Sequence, residues 1–133
     1  MGKEYAYSGA VHPKSKFTKP VKDLMKKINE EFDTEFNSCL LNKYEDGNQY
    51  ISAHSDDEKG LSRHMVIAVS IGSERVMKFR NKETFEIVKV VLTPGSLLMM
   101  KGKNFQKNWT HEITKQPSIK GCRISLTFRE FSE

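Results

Sequence analysis

The stretch "FNSCLLNKYEDGNQYISAHSD", Phe36 to Asp56, switches the period of the chain from 3.6 residues to 2. Ahead of it, "KPVKDLMKKINEEF" puts Val21, Leu24, Met25, Ile28 and Phe32 on one stripe, the i, i+3, i+4, i+7 spacing of an amphipathic helix. Pro20 suits the first turn of that helix and Thr18 its cap. From Phe36 onward apolar and polar residues alternate instead. The pattern predicts a strand, a turn at Asp46-Gly47, and a returning strand that closes a hairpin.

The same period continues to the end of the chain. "RHMVIAVSIG", "RVMKFRN", "TFEIVKVVL", "GSLLMM", "WTHEI" and "CRISLTF" read as strands, with turns at Gly72-Ser73 and Pro94-Gly95. One N-terminal helix followed by about eight short strands makes a mainly β, α+β fold: a sandwich, a barrel or a jelly roll. The apolar run "VVLTPGSLLMM" is expected in the core.

With 133 residues and no break in composition, the chain reads as one domain, 1–133. No window approaches the ~18 consecutive apolar residues of a membrane span. "MGKEYAYSGA" has no apolar segment of a secretory signal, and Cys39 and Cys122 lie far apart without a CxxC. An intracellular protein of the nucleus or cytoplasm with reduced thiols, monomeric and free of membranes, is the expectation. A net charge of +5 leans toward a polyanionic partner, although a solvated lysine surface gives the same balance.

Strand parity organises the polar residues, because side chains two apart share a face. His54 and Asp56 point one way, as do Asn42 and Tyr44, and so do Arg123, Ser125, Thr127 and Arg129. A water-facing sheet surface produces that pattern, and so does a buried site. His-x-Asp on a strand supplies two neighbouring ligands to a cation, leaving a third to be found among His12, His64 and His111. His111, in a short strand distant in sequence, is preferred over His64. Two histidines and a carboxylate suit a non-haem iron(II) with open positions; zinc is the competing metal, although closed zinc sites favour cysteine. Arg123 and Arg129, roughly 20 Å apart at Cα if fully extended, then suit a short dicarboxylate, since guanidinium binds carboxylate through two parallel bonds.

In this order, "LLNKYEDG", "HSDDE", "GSLLMM", "WTHEI" and "RISLTFRE" resemble the AlkB family of iron(II)- and 2-oxoglutarate-dependent dioxygenases, from about Tyr5 to Arg129. "YxYSG" and "HSDDE" are most similar to the members that repair alkylated DNA. The resemblance implies a double-stranded β-helix (jelly-roll) core. It implies iron ligation by His54, Asp56 and His111. It assigns Arg123 and Tyr44 to the distal carboxylate of 2-oxoglutarate, and Arg129 and Asn42 to the end beside the metal. Ser125 stands where many members have asparagine. Asp57 and Glu58 would sit at the mouth of the base pocket, and Tyr5 and Tyr7 would contact the flipped nucleotide. Apart from the resemblance, Lys14, Lys16, Lys19, Lys101, Lys103 and Lys107 are candidates to hold phosphates, with a solvated lysine surface as the alternative for each.

The implied reaction uses O2 and 2-oxoglutarate to demethylate 1-methyladenine or 3-methylcytosine in DNA or RNA, releasing succinate, carbon dioxide and formaldehyde. A methylated base that no longer pairs is also cheaper to extrude. Members usually carry more chain ahead of "YxYSG", so a minimal enzyme and a core short of part of its N-terminal nucleotide lid both fit. The alternatives are the same chemistry on a protein or lipid, and a catalytically silent nucleic-acid-binding module.

Overall fold

A computed structural model of the chain describes residues 5–7, 10–12, 18–56, 65–102 and 104–132, the first two segments as backbone alone. The short strands β1 (Tyr5–Tyr7) and β2 (Ala10–His12) pair antiparallel. Helix α1 (Lys19–Phe32) follows, over the residues its apolar stripe marks. Thr18 stands at its N-cap, but only the backbone caps: the Thr18 carbonyl accepts from Lys22 N–H, and the hydroxyl makes no cap bond. Asp33 ends the helix in the left-handed region (φ 53°). The Asn29 side chain then ties the exit down, its amide donating to Phe36 O (3.1 Å) and its Oδ1 accepting from Phe36 N–H (2.8 Å).

Eight strands then build two four-stranded antiparallel sheets. They are β3 (Ser38–Tyr44), β4 (Ile51–His54), β5 (Met65–Gly72), β6 (Arg75–Asn81), β7 (Ile87–Leu92), β8 (Leu97–Lys101), β9 (Trp109–Ile113) and β10 (Arg123–Arg129). A short helix, α2 (Phe105–Asn108), leads into β9. One sheet has the order β3-β10-β5-β8 and the other β4-β9-β6-β7. Because the chain repeatedly crosses from one sheet to the other, the fold is a jelly roll, the double-stranded β-helix.

The hairpin expected around Asp46-Gly47 does not form. β3 pairs with β10 and β4 with β9, so residues 45–50 cross between sheets. Gly47 is there for close approach: its N–H donates to Ile119 O, its carbonyl accepts from Gln116 N–H, and a Cβ would collide with the Gln116 backbone. Pro94-Gly95 does make the expected turn, with Gly95 at φ 78° and Ser96 N–H bonded to Thr93 O, a type II pattern.

Two apolar clusters hold the layers. Val21, Ile28, Phe36, Cys39, Ile67, Leu126 and Phe128 pack α1 onto the outer face of the first sheet. Tyr44, Ile51, Val66, Met77, Phe79, Leu92, Met100 and Ile113 fill the space between the sheets. Each fully buried aliphatic side chain contributes about 1.5–3 kcal/mol. The run "VVLTPGSLLMM" is not core as a whole: Leu92 and Met100 are buried, whereas Val91 and Leu97 are exposed. β7 and β8 are edge strands, and an edge leaves side chains uncovered. The water-facing alternative for the polar parity is also excluded, since Asn42, Arg123, Ser125, Thr127 and Arg129 are all buried. The sheet is covered on both sides, by α1 and by the second sheet.

Candidate active site

Register brings the polar residues together. On the inner face Tyr44 lies opposite Arg123 and Asn42 opposite Ser125, with Ser70 of β5 on the other side of Ser125. From the facing sheet, β4 and β9 set His54 opposite His111. Tyr44, Asn42, Arg123, Ser125, His54 and His111, with Asp56, Thr127 and Arg129, line one narrow cavity of about 30 Å3. That is room for one or two waters, so a larger ligand enters only as side chains draw back.

His54, Asp56 and His111 converge. Their candidate ligand atoms all lie within 4.8 Å of one another. Asp56 Oδ2 is 3.7 Å from His111 Nε2, Oδ1 is 4.0 Å from His54 Nε2, and the two imidazole centroids are 4.4 Å apart. His54 Nδ1 donates to the Ser52 carbonyl (2.8 Å), which turns Nε2 toward the cluster. Asp56 accepts from Arg129 Nη2 at 2.8 Å. Burial raises the Asp56 pKa, but Arg129, His111 and His54 outweigh it and hold the carboxyl below its ordinary value. Burial lowers that of His111 to about 4, so its imidazole is neutral at pH 7.

A neutral imidazole at His111 and an ionised carboxylate at Asp56 are the protonation states a divalent cation needs. Asp56 Oδ2 is buried without a hydrogen-bond partner among the described residues. An acceptor left so is costly unless something binds it. The donor set fits Fe(II).

The opposite end of the cavity is cationic. Arg123 is 1 % exposed; its Nη2 donates to Ser70 Oγ (3.0 Å), while Nε and Nη1 find no acceptor. Its guanidinium sits over the Tyr44 ring, 5.1 Å from the centroid. Burial pushes the Tyr44 phenol up in pKa, against the pull of Arg123. An acceptor-rich anion satisfies the open donors of Arg123.

The side chains of Tyr5 and Tyr7, and all of Asp57, Glu58, His64, Lys14, Lys16 and Lys103, lie outside the described residues; so does the His12 side chain. Lys101 and Lys107 are exposed, and Lys19 pairs with Asp23 (2.9 Å). Ser125 faces Thr127 at 3.5 Å between the hydroxyls. Both cysteines are free. Among the described residues no helix is long and apolar enough to cross a membrane.

Two residues of the site are absent from the sequence reading. Gln106 of α2 is 1 % exposed, and its Oε1 accepts the Asp56 backbone N–H at 2.8 Å. With Ser55 Oγ on Trp109 O (2.6 Å), it clasps the His-x-Asp segment to the lead-in of His111. Arg75, also 1 % exposed, opens β6 and from the facing sheet sets its guanidinium over the ring of Tyr44, which lines the cavity. No local pattern announces either one: Gln106 holds the Asp56 backbone from 50 residues away, and Arg75 reaches carbonyls 26 to 39 residues away.

Comparison with known proteins agrees with this geometry. A family model described as the 2OG-Fe(II) oxygenase superfamily matches residues 1–129. The mouse "DNA oxidative demethylase ALKBH2" is 32% identical over 138 residues, covering 97% of this chain and 57% of that protein. The human "Alpha-ketoglutarate-dependent dioxygenase alkB homolog 3" is 33% identical over 136 residues, covering 94% and 47%. The chain thus spans about half the length of the curated relatives it matches. Among solved structures, "The structure of OsALKBH1" superposes with TM-score 0.57 at 22% identity, over 92% of this chain and 69% of that one. The Drosophila melanogaster CENP-C cupin domain does so with TM-score 0.51 at 13% identity, over 69% and 59%. These two likenesses bear on the jelly roll alone; it is the sequence kinship across residues 1–129, carried by a chain that folds its polar parity inward, that makes this protein an AlkB-like member of the 2OG-Fe(II) oxygenase superfamily.

Proposed function

We propose that residues 1–133 are the catalytic domain of an Fe(II)- and 2-oxoglutarate-dependent oxygenase that removes N-alkyl groups from nucleic-acid bases. The observation that carries this reading is one cavity with a two-histidine, one-carboxylate cluster at one end and the open donors of Arg123 at the other. Such a cavity matches a ligand that chelates with one end and carries a carboxylate at the other, as 2-oxoglutarate does.

His54, Asp56 and His111 would hold Fe(II). When bound, iron with 2-oxoglutarate supplies the oxidation of the alkyl carbon by O2, the chemistry that protein side chains lack. Arg123, with the Tyr44 ring beneath its guanidinium, anchors the distal carboxylate. Asn42 and Arg129 line the cavity nearer the metal cluster, and Arg129 also keeps Asp56 ionised. Gln106 fixes the backbone from which Asp56 projects. Burial of the cluster excludes water, which strengthens each of these electrostatic contacts.

The substrate class follows the relatives whose names state DNA demethylation. A base that methylation keeps from pairing, such as 1-methyladenine or 3-methylcytosine in DNA or RNA, is the expected target. Tyr5, Tyr7, Asp57 and Glu58 are the proposed contacts to it, and the nucleus or cytoplasm the place of work. The test is incubation with Fe(II), 2-oxoglutarate and an oligonucleotide carrying 1-methyladenine. Formaldehyde and succinate in equal amounts are expected. Succinate without loss of the methyl group refutes the substrate and leaves the chemistry standing; no 2-oxoglutarate turnover with any methylated oligonucleotide or peptide refutes the enzyme.

A further inference from the structure

Arg75 is the least explained charge in the molecule. It is 1 % exposed, yet among the described residues no carboxylate lies within ion-pairing distance of it. Its acceptors are three backbone carbonyls: Asp46 O (3.2 Å, from Nη1), and Gln49 O (2.6 Å) and Thr114 O (2.8 Å), both from Nη2. Burying an ion costs several kcal/mol, and neutral carbonyls compensate only part of it. A surface-facing lysine or a glutamine would tie the same loops together at lower cost. Arg75 also places its guanidinium over the Tyr44 ring, 5.4 Å from the centroid, and the Arg123 guanidinium lies 5.1 Å from that same centroid. Arg123 has no carboxylate partner among the described residues either. Two buried cations without an ion-pair partner among the described residues, Arg75 drawing only on the more distant Asp46 carboxylate, therefore share one aromatic ring at the end of the cavity remote from the metal cluster.

The two differ in what they have left to give. Arg75 gives both Nη atoms to carbonyls and keeps only Nε open, whereas Arg123 gives Nη2 alone and keeps both Nε and Nη1 open. Arg123 and Tyr44 line the cavity and Arg75 does not, so Arg75 is not the group that receives a ligand, but it can set where Tyr44 stands and add positive potential behind it. We propose that Arg75 is a positioning residue for the distal-carboxylate end of the 2-oxo-acid site: from the facing sheet it holds Tyr44 against Arg123 and thereby makes the cavity prefer dicarboxylic over monocarboxylic 2-oxo acids. This rests on the reading of the cavity as a 2-oxoglutarate site and adds to it the residue that sets its selectivity.

The experiment is calorimetric titration of Mn(II)-loaded protein, which does not turn over, with 2-oxoglutarate and with 2-oxobutyrate. Wild type, Arg75→Met and Arg75→Lys are compared, with Mn(II) affinity and thermal midpoint measured alongside. Arg75→Met is expected to weaken 2-oxoglutarate about 10-fold or more, while 2-oxobutyrate and Mn(II) change by less than about 3-fold. A merely structural role lowers the midpoint and leaves the ratio of the two oxo-acid affinities as in wild type, which overturns the proposal. Should Arg75→Met fail to fold, Arg75→Lys decides. A point charge does not replace a stacked planar cation, so the ratio falls at least about 3-fold if Arg75 acts through Tyr44, and an unchanged ratio overturns it. Wild-type protein that binds Mn(II) but neither oxo acid would instead remove the 2-oxoglutarate site itself, and this inference with it.

Discussion

Along β10, Leu126 and Phe128 point at α1 while Arg123, Ser125, Thr127 and Arg129 point between the sheets, and both faces are buried. The helix-facing side is complete in itself: its atoms find their neighbours in Ile28, Phe36 and Ile67. The inner side is not. Donors of Arg123 and an acceptor of Asp56 end without partners, and two buried guanidinium groups lack a counter-ion among the described residues. One strand thus separates a face that stabilises the fold from one that is costly until ligands arrive. Substitutions on the two sides are expected to divide the same way.

The largest effect belongs to the inner side and to function. His111→Ala is expected to abolish Mn(II) binding and 2-oxoglutarate turnover while moving the thermal midpoint by no more than about 4 °C, because it removes a poorly satisfied group. His64→Ala is expected to leave both activities intact. Calorimetry for the metal and succinate formation for turnover check this pair, and the reverse pattern would replace the third ligand. On the helix-facing side Phe128→Ala is expected to cost about 3–5 kcal/mol in urea unfolding. The fraction still folded should bind 2-oxoglutarate as wild type does. Equal stability losses from the two substitutions would erase the division.

Acid sharpens the same contrast. His111, with a pKa near 4 in the fold against 6.5 unfolded, must bind a proton on unfolding at any pH between those values. A depressed histidine gives stability that is complete above pH 6.5 and lost as pH falls toward 4, roughly 3 kcal/mol in all for the metal-free protein. Asp56, also held below its ordinary value, acts in the same direction at lower pH. Urea midpoints at pH 7 and pH 4.5 measure the sum, and His111→Gln should flatten the pH dependence. A wild-type midpoint independent of pH over this range would place the imidazole in water.

How much of this was legible in the sequence depends on whether the signal is local. α1 runs where Val21, Leu24, Met25, Ile28 and Phe32 place it, and the later strands sit where the alternation does, since both periods are written in neighbouring residues. Parity even grouped Arg123, Ser125, Thr127 and Arg129 correctly on one face. Which face is inside was not legible, because buried polar and solvated polar residues look alike in a string. Pairing was not legible either: Asp46-Gly47 reads as a hairpin turn, whereas the glycine serves the approach of the backbone at Gln116. Gln106 sits in "NFQKNW", a polar loop by composition. Only folding shows that its amide oxygen caps the backbone of Asp56, fifty residues earlier.

The smallest effect tests the apolar side without changing a residue. Cys39 belongs to the helix-facing cluster and is 1 % exposed, whereas Cys122 is exposed. Burial pushes the Cys39 thiol up to about 11, with Arg129 pulling weakly the other way. The thiolate is the reactive form, so at pH 8 a thiol reagent is expected to modify one cysteine of the native protein quickly and the second only with unfolding. The raised pKa has its own sign: the stability it gives is complete below the ordinary value of 9.0 and fades as pH climbs toward 11. Phe128→Ala, by loosening the layer under α1, should bring the slow phase forward, while His111→Ala should leave it where it was. Labelling of both thiols at one rate in the native protein would mean that α1 does not cover the sheet, and the two faces of β10 would lose the asymmetry on which their division of labour depends.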